Sequence, residues 1–265
     1  MNWTVFRRIV GTAAFAAFLS LCATLPARAQ NAPANTPNAP MQNLVEEFLL
    51  SDAVRAEDRG ELQFTVGAAG LRHRGTDADL DIEYGITNRL QFTFEAPYGI
   101  VQRPLSDTPA RWSTASIGGL YQFIRSDHSF ALAAAFGVGV PVSSRGDYDY
   151  EPEILIAKGF GRSQIHFSGG GDFSKEDSSW FANAAWVRPL QAKSRNWFTT
   201  FELAGRRNNG QEGLYFVPGI YRHIFPRFAK KIEVGAGVPA GVGPAASHFG
   251  LAANMTIEFG GDKDD

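Results

Sequence analysis

From Glu61 to Phe259 apolar and polar residues alternate with a period of two. In the first run Leu62, Phe64, Val66 and Ala68 stand against Gln63, Thr65 and Gly67. Successive side chains of a strand point to opposite faces, so such a run presents one oily face and one polar or small face. Leu80, Ile82 and Tyr84 against Asp79, Asp81 and Glu83 repeat it, as do Leu90, Phe92 and Phe94 against Gln91, Thr93 and Glu95. Phe130 to Gly139 and His248 to Phe259 show it most cleanly. The pattern predicts about twelve strands, near 61–70, 78–87, 89–100, 114–125, 129–140, 151–160, 163–173, 179–190, 196–206, 212–222, 230–239 and 247–259. At roughly ten residues each, they have the length a tilted strand needs to cross a bilayer. Two are weaker: Ile154 to Ala157 leave the facing ambiguous, and Pro218 lies inside a run where it removes a ladder hydrogen bond.

Short connections near Thr87-Asn88, Ser126 to His128, Gly161-Arg162 and Lys193 to Arg195 alternate with longer ones at 101–113, 141–150 and 240–246. That is the habit of outer-membrane barrels, with short periplasmic turns, longer outer loops and both termini periplasmic. A soluble sandwich or closed barrel would also alternate, but its polar face would carry Lys and Glu. Here that face is largely Gly, Ala, Ser, Thr, Asn and scattered acids, which suits a confined lumen. Tyr98, Trp112, Trp180, Trp186, Trp197 and Tyr221 fall near strand ends, where interfacial girdles lie. The expected fold is all-β, a transmembrane antiparallel up-and-down barrel over 61–259 with a polar tail at 260–265.

The first sixty residues read differently. Met1 to Ala29 has Arg7 and Arg8, an apolar stretch and an Ala-Arg-Ala end, the marks of a secretory signal cleaved before Gln30. Residues 30–42 are rich in Pro, Ala and Asn and read as a flexible leader. Leu44, Val45, Phe48 and Leu49 stand at helical spacing behind a capping-box pattern of Asn43 and Glu46. They predict a short helix within 43–60, packed at the periplasmic end of the barrel or plugging its lumen. The sole cysteine, Cys22, lies in the signal, so the exported body is expected to hold no disulfide. Without Met1 to Ala29, which contains Arg7, Arg8 and Arg28 and no acid, the charge falls from -2 to -5. An acidic body without a basic-aromatic cluster argues against nucleic-acid binding.

Alternation turns a set of ionisable residues inward as lumen-lining candidates: Asp79, Asp81, Glu83, Glu95, His166, Asp172, Glu202, Arg206, Glu233 and Glu258. The facing of Lys158, Arg188 and Arg222 is open from sequence, so two readings stand. The acids dominate the lumen and attract cations, or they pair with arginines to stiffen the wall. His166, Ser168 and Asp172 share one strand face and are the ingredients of a nucleophilic hydrolase. Because that face should look away from lipid, a hydrogen-bonded lumen network is the simpler reading. Asp147, Asp149, Glu151 and Glu153 alternate in one stretch and form a weak candidate cation cluster, against the plainer reading of an acidic outer loop. No phosphate loop, HExxH or GxSxG stretch is present, and no cofactor is expected.

The hairpin Tyr84-Gly85-Ile86-Thr87-Asn88-Arg89-Leu90, followed by Pro97-Tyr98 and preceded by Gly60-Glu61-Leu62, resembles the outer-membrane transporter group named for the MetA pathway of phenol degradation. The resemblance implies a transporter-type barrel for small, sometimes aromatic, compounds, with no residue roles to carry over. The expected function is therefore an outer-membrane channel for small solutes. A lipid-modifying hydrolase and a structural barrel with a filled lumen are the alternatives. Its expected partners are outer-membrane lipids and lipopolysaccharide, the barrel-assembly machinery and a small-molecule solute.

Overall fold

A computed structural model describes residues 44–71, 75–96, 98–102, 111–112, 114–125, 130–141, 148–174, 178–190, 196–208, 211–243 and 249–260. The signal, the leader, Asp147 and residues 261–265 lie outside them. The chain forms β1 (Glu61–Leu71), β2 (Gly75–Thr87), β3 (Leu90–Glu95), β4 (Tyr98–Gln102), β5 (Arg111–Trp112), β6 (Thr114–Arg125), β7 (Phe130–Pro141) and β8 (Asp149–Phe160). It continues with β9 (Ser163–Phe173), β10 (Ser178–Pro189), β11 (Trp197–Asn208), β12 (Gln211–Ile224), β13 (Lys231–Gly237), β14 (Ala240–Val242) and β15 (Gly250–Gly260). β3 with β4, β5 with β6, and β13 with β14 are interrupted halves of single staves, so the wall has twelve staves. Neighbours are antiparallel, and β1 pairs both β2 and β15, which closes the barrel and leaves no edge.

The register confirms the alternation. Gln63, Thr65, Asn254, Thr256 and Glu258 are buried on the inner face, while Val66, Phe136, Phe167 and Leu251 are about half exposed on the outer face. The two weak stretches have physical explanations. In β8, Leu155 and Ala157 face inward and are buried against Val54 and Ala56, while Ile154 and Phe160 face outward, so both faces are apolar. Pro218 lies in β12 opposite the gap between β13 and β14. Its carbonyl accepts the Val238 N–H at 3.1 Å, and its missing donor faces that same gap, where no regular ladder runs.

Two expectations fail. Residues 44–60 contain no helix; they run as a chain of bends inside the barrel, against the inner wall. The helical spacing is overridden because Val45 and Phe48 enter one pocket of the wall, with Ala185, Val187, Phe198 and Tyr221. Tyr221 is also no girdle residue, since it is fully buried on the inner face of that pocket. Trp180 and Trp197 are exposed on the outer face, and Trp186 stacks on outward Phe201 at 5.5 Å. The side chains of Tyr98 and Trp112 lie outside the described part of the molecule.

Candidate functional site: an acidic chamber above an N-terminal plug

The plug is held by the wall's side chains. A backbone with no helix or strand of its own must find partners for its N–H groups. The Glu46 N–H donates to Glu233 Oε1 at 3.0 Å and the Glu47 N–H to the same oxygen at 3.3 Å. The Leu49 and Leu50 N–H groups donate to the two oxygens of Glu202 at 3.1 and 2.8 Å, and Ser51 Oγ adds a third bond at 3.2 Å. The Leu44 N–H reaches Gln164 Oε1, and Asn254 donates to the Glu47 carbonyl at 2.9 Å. Farther along, the Glu57 N–H donates to Gln91 Oε1 at 2.8 Å.

The hairpin that carries the family resemblance receives the end of this segment. Thr87 Oγ1 accepts the Arg89 and Leu90 N–H groups, closing the turn, while Asn88 Oδ1 accepts the Arg59 N–H at 2.9 Å. The Gly60 N–H donates to the Gly85 carbonyl at 2.8 Å, and a Cβ on Gly85 would run into the carbonyl oxygens of Glu57 and Asp58. Gly85 is thus required by a close backbone crossing. Below the plug, at the rim where β1 begins and β15 ends, Lys230 meets Glu61 at 2.5 Å, and Lys231 bridges Glu258 and Glu46. The sequence did not single out Lys231 or His223, whose Nε2 lies 2.6 Å from Glu233, and it read Glu46 only as the acid of a capping box.

Above the plug is a chamber of about 600 Å³ with the plug as its floor. Asp79, Asp81, Glu83 and Glu95 line one side, with Asp81 directly opposite Glu95 in the register. Glu151, Glu153 and Asp172 line another, and Asp52 reaches in from the plug. Among the described residues two guanidiniums join them, both engaged by acids: Arg206 lies 3.7 Å from Asp172 and Arg55 2.6 Å from Asp58. Leu120, Leu155 and Phe181 supply apolar patches. Lys158, Arg188 and Arg222 all lie on outward-facing positions, with Lys158 5.7 Å from the Phe160 ring and Arg222 5.2 Å from the Trp197 ring. They do not neutralise the chamber.

All ten lumen candidates lie on the inner wall, but they divide. Asp79, Asp81, Glu83, Glu95, Asp172 and Arg206 line the chamber. His166, Glu202, Glu233 and Glu258 are covered by the plug or tied into the rim. His166 lies against the edge of Phe48, 4.9 Å away, with Nε2 3.3 Å from Gln164 Oε1, and Ser168 receives a bond from Asn183. Of the acidic stretch, Glu151 and Glu153 are not in an outer loop but inside β8 and turned into the lumen, where Glu151 accepts a bond from Ser116 Oγ at 2.7 Å. Asp149, also in β8, keeps the same facing, and no metal-binding group of three occurs among the described residues. Burial, followed by neighbouring acids, pushes the Glu47 and Glu57 carboxyls of the plug well above their ordinary values.

No protein family and no curated protein matches the sequence, so the hairpin's likeness to the phenol-degradation group remains a resemblance. Solved structures do match. An outer membrane channel from Pseudomonas putida F1 aligns over 78% of this chain and 98% of its own, with a TM-score of 0.57 at 12% identity. The shared feature is the fold. KdgM porin aligns over 76% of this chain and 99% of its own (TM-score 0.47, 9% identity), and NanC porin over 75% and 99% (0.48, 10%). What this chain shares with the Pseudomonas putida F1 channel is the closed antiparallel β-barrel.

Proposed function

We propose that the protein is an outer-membrane channel for small solutes, with the acidic chamber as its selective stretch. The observation that carries this reading is the one-sided charge of the chamber. Among the described residues its carboxylates face two guanidiniums, both engaged, and the three cations whose facing the sequence left open point outward. Carboxylates in a narrow, low-dielectric lumen create a negative potential that concentrates cations and repels anions. The apolar patches of Leu120, Leu155 and Phe181 beside them suit a cationic solute with an apolar or aromatic body, which agrees with the resemblance of the hairpin. Exported protein would sit in the outer membrane among lipopolysaccharide and phospholipid.

The test is a reversal potential across a KCl gradient with refolded protein in planar bilayers. Cation preference is expected, weakening as ionic strength rises and falling when Asp81, Glu83 and Glu95 are all replaced by their amides. Anion preference, or selectivity untouched by the triple replacement, refutes the assignment. The plug favours one second reading, a structural barrel with a filled lumen, for which no variant would conduct.

A further inference from the structure

We infer that residues 44–57 form a removable gate, which closes the periplasmic exit of the chamber when docked and leaves it as one strap hinged at Asp58 to Gly60. The inference rests on the channel reading and concerns how that channel is regulated. It comes from how the strap is attached. Over 44–51 the strap pairs with no strand. Its N–H groups are taken by side chains of the wall, two each by Glu202 and Glu233 and one by Gln164. Such side chains keep their place in the barrel when the strap departs, and their freed carboxylates face water in an opened lumen. A plug woven into the ladder could leave only by breaking the wall.

The apolar seats are two and separate. Val45 and Phe48 occupy one, and Val54 and Ala56 occupy another built largely of Ala131, Ala133 and Ala157. The hinge, by contrast, is fastened by backbone. The Gly60 N–H bonds to Gly85, the Glu61 N–H returns to the Asp58 carbonyl at 2.9 Å, Asn88 holds Arg59, and Lys230 fixes Glu61. Gly60 has φ +75, the left-handed conformation that lets the chain turn from the lumen into β1. A firmly held hinge next to a strap held by a few side chains is the geometry of a gate.

The test tethers the strap in place. In a Cys22→Ser background, which removes the sole native cysteine, Glu47→Cys with Asn254→Cys, at a contact of 2.9 Å between the Asn254 amide and the Glu47 carbonyl, introduces the only thiols. The full chain is refolded, bridged with a short reducible bis-methanethiosulfonate and recorded in planar bilayers before and after bridging and after dithiothreitol. Bridging should lower the open fraction at least tenfold, and reduction should restore it, with each single-cysteine variant unaffected by the reagent. In the same full-length background, Glu202→Ala with Glu233→Ala removes the acceptors of four strap N–H groups and of the Ser51 hydroxyl and should raise the open fraction by about tenfold or more. This second variant tests the gate even if the cysteine pair does not refold. An open fraction unchanged by bridging, or unchanged by the Glu202/Glu233 pair, overturns the gate and leaves the channel standing. Absence of conductance in wild type and in the Glu202/Glu233 variant alike, from barrels that show heat-modifiable migration, overturns the channel reading and the gate with it.

Discussion

Gly85 shows how much can depend on one missing side chain. In sequence it is one more small residue on the polar face, following Asp81 and Glu83; in the barrel it is where the plug's exit crosses β2 against bare backbone. Gly85→Val should therefore leave the barrel closed but push Glu57 and Asp58 away from the wall. Overpacking of this kind costs about 1–3 kcal/mol, enough to move docking by about tenfold or more. Limited proteolysis of the refolded protein checks this, with faster cleavage expected between residues 44 and 60 and an unchanged barrel fragment. Asn254 makes the complementary point. By facing alone it is an inward polar position that should accept a charge, yet it is only 6% exposed and donates to the plug, so a charge there disturbs the gate's seat.

At the scale of the element, a stave has two faces with different solvents, and β10 offers neighbouring positions that test this. Ala182 is exposed on the lipid face and Asn183 lines the chamber. Ala182→Arg near the middle of the stave should cost on the order of 2–4 kcal/mol. Asn183→Arg, entering an acidic cavity, should cost far less. Urea unfolding in lipid vesicles measures both, and equal penalties would mean the register is shifted by one residue. The plug is the element with the opposite logic, since its stability depends on protons. Docked Glu47, among Glu83, Asp52, Asp81 and Glu233, and docked Glu57, among Glu46, Glu83, Glu61 and Glu258, hold protons well above the ordinary value of 4.5. A carboxyl whose affinity for protons is higher in the docked state favours docking below its free pKa and loses that contribution as pH rises through the docked one. Opening should therefore become more frequent as pH rises above the ordinary carboxylate range. Glu47→Gln with Glu57→Gln should flatten the dependence in bilayer recordings at stepped, symmetric pH.

At the scale of the whole molecule, the closed wall separates three environments. Hydrocarbon surrounds the outer face, an acidic chamber occupies the lumen above the plug, and an ion cluster of Lys230, Lys231, Glu61, Glu46 and Glu258 ties the first stave, the last two and the plug together at the rim. Closure matters because an open edge cannot be hydrated inside a bilayer. The pairing of β1 with β15 joins residues from the two ends of the described chain, among them Thr65 and Thr256, whose hydroxyls lie 2.9 Å apart. The cavity's one-sided charge is a property of the assembled ring, since its acids come from β2, β3, β8, β9 and the plug.

The wall was legible in the amino-acid order because the two periods that distinguish strand from helix are local, and a bilayer outside with a polar lumen inside writes them into every stave. Strand positions, the inward facing of the ten ionisable candidates and the barrel class follow from that alternation alone. What the plug does was not legible. Val45 and Phe48 fit a helical face as well as they fit a pocket, and the pocket is made of Ala185, Val187, Phe198 and Tyr221 from staves more than a hundred residues away. The same long-range contact explains the ambiguity of Ile154 to Ala157, where an inner face turned apolar to receive Val54 and Ala56. It also divides the inward acids: Glu202 and Glu233 look like Asp81 and Glu95 in sequence, and only the path of residues 44–57 across the lumen makes the first two clasps and leaves the others facing the chamber. Local periodicity settles which side of a wall a residue occupies; what fills the space enclosed depends on chain closure, which no local pattern encodes.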